Sequence, residues 1–342
     1  MLENITVSPA PHISKAHSTR SIMLDVLIGL SPAVVAACWF FRVSAVVLIF
    51  TCVASCMAAE YLCNLIRKKS NSLDDLSAVV TGVILALSLS PKMPYWAAII
   101  GSVFCIVIGK MVFGGLGANI FNPAMVGRTF LTASFGILMT TWAVPATVIT
   151  PQEGSQLVTV SAENTGYDAT TQATPLGWAK MAVKGQIDSK ELNKQLFAAF
   201  VGKVGGCLGE TSVIALVLGA GWLFYKKTIT VDIPAATLIG AAVFSGIFWI
   251  ASPDKYASPF FHLSTGGMLL CAFFIATDPV TAPLTKKGMW IFGAGVGVLV
   301  ILIRNVGGYP EGVMYAVLIM NALTPLIDRF CKLTPAGGNV KS

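Results

Sequence analysis

The stretch with the most chemistry to offer is Asp168-Ala169-Thr170-Thr171-Gln172-Ala173-Thr174-Pro175. It has no apolar period, so neither a core strand nor a core helix is expected there. Pro175 biases Thr174 toward β or polyproline II backbone, and an exposed, extended Thr174 would present its hydroxyl to a modifying enzyme. Thr170 and Thr171 offer rival hydroxyls. Asp168-x-x-Thr171-x-Ala173-Thr174 standing alone reads as a Ser/Thr-rich loop; its setting gives it weight.

The remaining candidates lie in apolar sequence. Arg128 falls within a hydrophobic run, where a charge is costly and marks function by default. It would neutralise an anion or pair with Glu60 or Asp25. The glycines at 114–117 and Gly307-Gly308 precede helix starts, where bare backbone and helix N-termini attract anions; tight turns between packed helices are the equal alternative. Asp278, and similarly Glu210, would cap a helix start or take a cation. His262 reads as a packed polar residue, since one histidine is too few for a metal site. The eight cysteines form no C-x-x-C pair and read as small buried thiols. No catalytic triad, P-loop or dinucleotide fingerprint is present.

The elements that must position these residues are membrane helices. Of the 342 residues 55% are hydrophobic and 11% charged, less than half the charge typical of soluble domains. Apolar runs at 22–41, 44–66, 76–90, 95–113, 122–142, 207–226, 232–251, 259–277, 288–304 and 311–328 predict an all-α polytopic protein of about ten spans. The run beginning at Ile22 is followed by no small-residue cleavage site and reads as a first span rather than a signal peptide. Several runs are interrupted: Ser31-Pro32 breaks the first, Ser88-Leu89-Ser90-Pro91 ends the third early, and Ser264 to Gly267 interrupts the eighth. Backbone freed by such breaks must be buried in protein or line a cavity.

With the N-terminus inside, thirteen Lys and Arg fall in inside segments and four (Arg42, Lys92, Lys255, Arg304) outside. That bias predicts cytoplasmic termini and an extracytoplasmic insert. The net charge of +7 is thus a topology signal, and no basic stretch interleaved with aromatics suggests nucleic acid. The chain divides into a first membrane repeat (1–142), the insert (143–206), a second repeat (207–330) and a tail (331–342). A short span ending Ser-Pro91, then Gly114-Gly115, then Asn122 is matched by Ala-Thr-Asp278-Pro279, Gly307-Gly308 and Asn321. Five spans per half put the halves in opposite orientations, the pattern of an inverted repeat with a site at the midplane. Within the insert, Asp188 and Glu191 form a capping box opening a predicted helix over 188–202, its apolar stripe resting on the membrane surface or the spans.

Three features together resemble one family: Gly-Gly-Leu-Gly-Ala-Asn-Ile-Phe-Asn-Pro-Ala-Met-Val-Gly-Arg (114–128); Ala-Thr-Asp-Pro-Val-Thr-Ala-Pro (276–283) with Gly-Gly-Tyr-Pro-Glu-Gly (307–312); and the Thr174 motif in an outside loop. They look like the membrane flavoprotein subunits of the Rnf and Nqr electron-transport complexes. The opening Val7-Ser8-Pro9-Ala10-Pro11-His12, without an N-terminal extension, leans toward the Rnf branch. The resemblance implies a urea-transporter-like fold and a bacterial or archaeal cytoplasmic (inner) membrane. It implies FMN joined through its phosphate to Thr174 by a flavin transferase, with Asp168, Thr171 and Ala173 as the attachment motif. Gln172 stands where a small residue is commoner. Asn122 and Arg128 become candidate flavin contacts within the membrane, and a non-covalent riboflavin is implied there too.

The partners implied are other Rnf subunits, a second covalent flavoprotein on the outer face, and membrane lipid. The activity is one subunit's share of an ion-translocating ferredoxin:NAD oxidoreductase. The alternatives are the corresponding membrane flavoprotein of the sodium-translocating NADH:quinone oxidoreductase and a cofactor-free, urea-type solute channel; a channel has no use for the Thr174 motif. The charge count is tested by Ser155→Cys: it is expected to react with an impermeant thiol reagent in intact cells, whereas labelling only after lysis reverses the topology.

Overall fold

The computed structural model describes residues 18–69, 72–142, 174–185, 205–210 and 212–332, and all regular structure among them is helical. The predicted helix over 188–202 and motif residues Asp168, Thr171 and Ala173 lie outside the described residues. Among the described residues, four helices are long and apolar enough to cross a membrane: α1 (Thr19–Ile66), α8 (Asp232–Ala251), α11 (Lys286–Val306) and α12 (Val313–Phe330). Shorter apolar helices are α2 (Ser77–Leu87), α3 (Tyr95–Ile106, extended by a π turn, Val107–Met111) and α7 (Val213–Tyr225). Between them lie α4 (Pro123–Ser134), α5 (Gly136–Met139), α6 (Pro175–Val183), α9 (Pro259–Ser264) and α10 (Met268–Leu270, followed by a π turn, Cys271–Ile275).

α1 corrects one expectation. Ser31-Pro32 does not break it; helical structure continues through Pro32, and the non-helical residue is Arg42, at φ 53° and ψ −130°. Proline removes a backbone donor and so frees the carbonyl of Ile28. The Ser31 hydroxyl donates to that carbonyl at 2.7 Å, replacing the lost bond locally. Arg42 therefore divides α1 into two arms, each roughly 35 Å long at 1.5 Å per residue, close to the hydrocarbon thickness.

The other interruptions are real. α2 has 11 residues, roughly 16 Å, about half a crossing. The eighth apolar run is split between α9 and α10 at Thr265 to Gly267, with Gly266 at φ +67°. Close helix packing depends on small residues, as expected where lipid supplies no hydrophobic drive between helices. α8 and α11 meet most extensively. A Cβ on Gly297 would strike the Thr237 carbonyl and lie 2.7 Å from the Ala241 nitrogen.

That contact makes a testable statement about the fold. Gly297→Leu should destabilise the detergent-solubilised protein by about 1–3 kcal/mol or more through overpacking. Gly221→Ala, with nothing within 4 Å of its added carbon, should leave the thermal midpoint unchanged.

Candidate functional site

Two polar centres lie at different ends of the helices. The first surrounds Thr174. Its backbone is extended (φ −72°, ψ 159°), as Pro175 predicts, but the residue is buried rather than exposed, at 6% of its full accessibility. Thr-Pro is also a helix-opening pair: Thr174 is the N-cap of α6 and Pro175 its first residue, where the missing N–H costs nothing. The Thr174 hydroxyl oxygen accepts from the Gly177 N–H at 3.1 Å. α6 then docks by its apolar face. Ala179 and Ala182, with Trp178 beside them, pack on Ala257 and on Phe261 of α9. Lys180 Nζ donates to the carbonyls of Arg304, at 3.1 Å, and Gly307, at the C-terminal end of α11. Burial, and then the neighbouring Lys184, holds the Lys180 ammonium below its usual range.

Beside Thr174 is a cavity of about 10 Å3, walled by Leu176, Gly205, Glu210, Thr265 and Gly266 among others. Next to it lies a cluster of two guanidiniums and two carboxylates, of which Arg128, Arg304 and Glu311 are buried. Arg304 donates to the His262 carbonyl (2.8 Å), the Thr265 carbonyl (3.1 Å) and Glu311 Oε1 (3.3 Å). Glu311 accepts in turn from the N–H groups of Gly267, Gly312 and Val313 at 3.0, 3.2 and 3.3 Å. A Cβ on Gly266 would meet Leu176, Glu311 Oε2 at 2.6 Å and Arg304 Nη2 at 2.7 Å, so this junction admits only glycine. Arg128 joins from α4, its Nη2 3.7 Å from Glu210 Oε1 and 3.4 Å from Cys207 Sγ. Its expected partners are elsewhere: Glu60 binds Lys110, and Asp25 accepts from the Thr228 hydroxyl at 3.5 Å. Among the described residues, Nε of both arginines and both ring nitrogens of His262 have no hydrogen-bond partner.

The second centre is a cavity of about 120 Å3 near the start of α1, lined by Met23, Thr81, Lys110, Asn119, Asn122 and Asp278 among others. Lys110, an inside loop lysine in the charge count, is buried in the π turn after α3. It bridges both oxygens of Glu60 at 2.8 Å and donates to the Ser77 hydroxyl at 2.6 Å. Arg304, an outside charge in that count, is buried as well. Removing both leaves twelve against three, so the charge bias keeps its direction. Asn122 caps α4, its Oδ1 accepting from Met125 N–H at 3.3 Å. Its own N–H meets Asn321 Oδ1 at 3.3 Å, and its Nδ2 donates to the Ile275 carbonyl at 3.4 Å. Asp278 accepts from Val280 N–H and the Thr281 hydroxyl, so it caps a turn rather than a helix start. Gly114, Gly115 and Gly117 all have positive φ, the tight-turn alternative.

The two membrane candidates therefore do not share a site. Asn122 opens α4 at the large cavity, and Arg128, six residues on, is about 9 Å further along the helix in the Thr174 cluster. Sequence reasoning misses Arg304, Glu311 and Lys110. Their signal is present: ionisable residues inside or beside apolar runs, two of which count as loop charges until their burial is seen.

The family model described as NQR2, RnfD, RnfE matches residues 6–337, and the chain belongs to that family. It is 41% identical over 330 residues to the D subunit of the Na(+)-translocating ferredoxin:NAD(+) oxidoreductase complex of Acetobacterium woodii, covering 96% of this chain and 94% of that one. It is 40% identical over 327 residues to the proton-translocating counterpart of Clostridium ljungdahlii, covering 95% and 94%. It is 37% identical over 341 residues to the D subunit of the ion-translocating oxidoreductase complex of Escherichia coli, covering 95% and 96%.

The buried pair at the large cavity gives a test of its energetics. Lys110→Met strands the Glu60 carboxylate and should cost about 3–5 kcal/mol. Adding Glu60→Met should recover most of that loss in the thermal midpoint of the solubilised protein, because neither charge is then left buried alone.

Proposed function

We propose that this chain is the membrane subunit of an Rnf-type ion-translocating ferredoxin:NAD oxidoreductase and that it carries FMN through a phosphoester on Thr174. The observation that carries the attachment is the place of that hydroxyl: the N-cap of a helix, beside a buried guanidinium–carboxylate cluster, in a chain similar throughout to subunits of redox complexes. A helix N-terminus suits a phosphate, since its dipole favours an anion. Bound there, the flavin would accept and pass on electrons; the chain's own residues supply the tether, the anion-favouring helix end and the placement. The cavity beside Thr174 is far smaller than FMN, so the chemistry of the site fits the group while the docked geometry leaves it no room.

The large cavity is the place we assign to a non-covalent riboflavin. Its walls are mainly apolar, with a few convergent polar groups, the character of small-molecule sites. Asn119 Oδ1 there is buried without a partner among the described residues and would accept a hydrogen bond from a flavin ring. In this reading the chain spans a bacterial or archaeal cytoplasmic membrane about ten times, as two inverted five-span repeats of urea-transporter type. Its termini are cytoplasmic and its insert, outside, is open to the flavin transferase and to a second flavoprotein subunit. The relatives differ in the ion their names carry, sodium in one and proton in another.

Thr174→Val keeps the β-branched shape and removes the hydroxyl. It loses the cap, at a cost of about 1 kcal/mol, yet should still insert. Its denatured band should have no flavin fluorescence, while Thr174→Ser, Thr170→Val and Thr171→Val keep theirs. Mass spectrometry should place the FMN between Asp168 and Lys180. A fluorescent Thr174→Val chain overturns the assignment.

A further inference from the structure

We propose that Thr174 receives its flavin while α6 is lifted off the membrane helices. The inference rests on the reading of Thr174 above. As docked, the residue is 6% exposed, and its hydroxyl oxygen already accepts from Gly177 N–H. The adjoining cavity of about 10 Å3 holds roughly one water, far less than a phosphate, still less an isoalloxazine. Glu210 forms part of its wall, so an incoming phosphate would also meet a carboxylate. Leu176 closes the other side over Gly266, where even an added Cβ would collide. A transferase working from the insert side cannot bring a flavin phosphate to this oxygen without displacing α6 or the Gly266 junction. The junction is fixed by Arg304 and Glu311; α6 is not.

Small side chains make much of the docking of α6. Among the described residues its contacts include a patch of alanines with Trp178 on Ala257 and Phe261, Leu176 over Gly266, and Lys180 on two carbonyls, with a further partner on Trp178. A nine-residue helix is also marginal by itself in water, so undocking and local fraying cost little. In the lifted state Thr174 Oγ attacks the flavin-bearing phosphorus of a pyrophosphate-linked flavin dinucleotide. One P–O ester bond forms, the P–O bond to the departing nucleoside monophosphate breaks, and the hydroxyl proton passes to a base of the transferase; no electrons change hands. The product places a phosphodiester anion at the first turn of α6, which still supplies that turn with an acceptor.

The test uses the full chain in its complex, produced without transferase and held in native membranes. Purified transferase, at saturation, and flavin dinucleotide are added, and covalent fluorescence is followed in time. Lys180→Ala and Leu176→Ala loosen docking and should each raise the initial rate about fivefold, the effect of roughly one lost hydrogen bond or small contact; equal rates in all three chains overturn the inference. Thiol labelling reads docking without flavin: Thr174→Cys should label slowly and, combined with Lys180→Ala, about fivefold faster. Labelling of the single variant at the rate of a free small thiol also overturns it. If no chain takes up flavin, the attachment reading falls, and the labelling still decides whether α6 opens.

Discussion

A broken helix inside a membrane frees backbone groups that only protein can satisfy, and the Arg304–Glu311 pair meets that demand for much of the Thr174 end of this molecule. The guanidinium takes the carbonyls of His262 and Thr265, at the close of α9. The carboxylate takes Gly267 N–H, ahead of α10, and Gly312 and Val313 N–H, at the start of α12. Because Arg304 ends α11, one ion pair fixes the relative positions of four helices. Each charge is buried, and each is compensated by hydrogen bonds beyond the partner, the condition under which a buried pair is tolerated. Removing either member would strand the other together with several backbone groups.

The same solution recurs where the other half of the chain is interrupted. The Lys110–Glu60 bridge ties the π turn after α3 to α1 and, through the Ser77 hydroxyl, to the start of α2. Asn122 and Asn321 join the halves directly: one caps α4 and reaches the end of the π turn at Ile275, while the other reaches the Thr281 carbonyl. The helix ends that sequence alone marks as short or Pro-interrupted thus have named partners, charged toward the two ends and amide between the halves.

Much of this is legible in sequence, and the failures have physical causes. Apolar runs locate helix in each expected segment because hydrophobic length is a one-dimensional property. The Ser31-Pro32 break is misjudged because a single hydroxyl repairs the proline's lost bond, and which carbonyl it reaches depends on rotamer. Arg304 and Lys110 fall among loop charges because a charge at the edge of an apolar run reads as solvated until its partner is known. Those partners, Glu311 and Glu60, are seven and fifty residues away. Asn122 and Arg128 share a motif, and so seem to share a site, but six residues of helix carry them to different ones. Thr174-Pro175 suggests an extended backbone, and the same dipeptide also opens helices; only the docked α6 shows that both hold here.

The charge arrangement around Thr174 bears on why the proposed tether would be needed there. Arg128 and Arg304 are matched by Glu210 and Glu311, and Lys180 is engaged with the carbonyls at the end of α11. The two positive and two negative charges of the cluster sum to zero, so the cluster itself offers a phosphate little net attraction. An ionic site would need an unmatched cation, and in a low-dielectric setting that cation would be unstable until the ligand arrived. The covalent phosphoester proposed for Thr174 would remove the conflict: retention would no longer depend on charge, so the cluster could stay balanced and serve the fold. The helix end would then supply only partial charge from the α6 dipole, enough to favour an anion once attached and too little to destabilise the site without one.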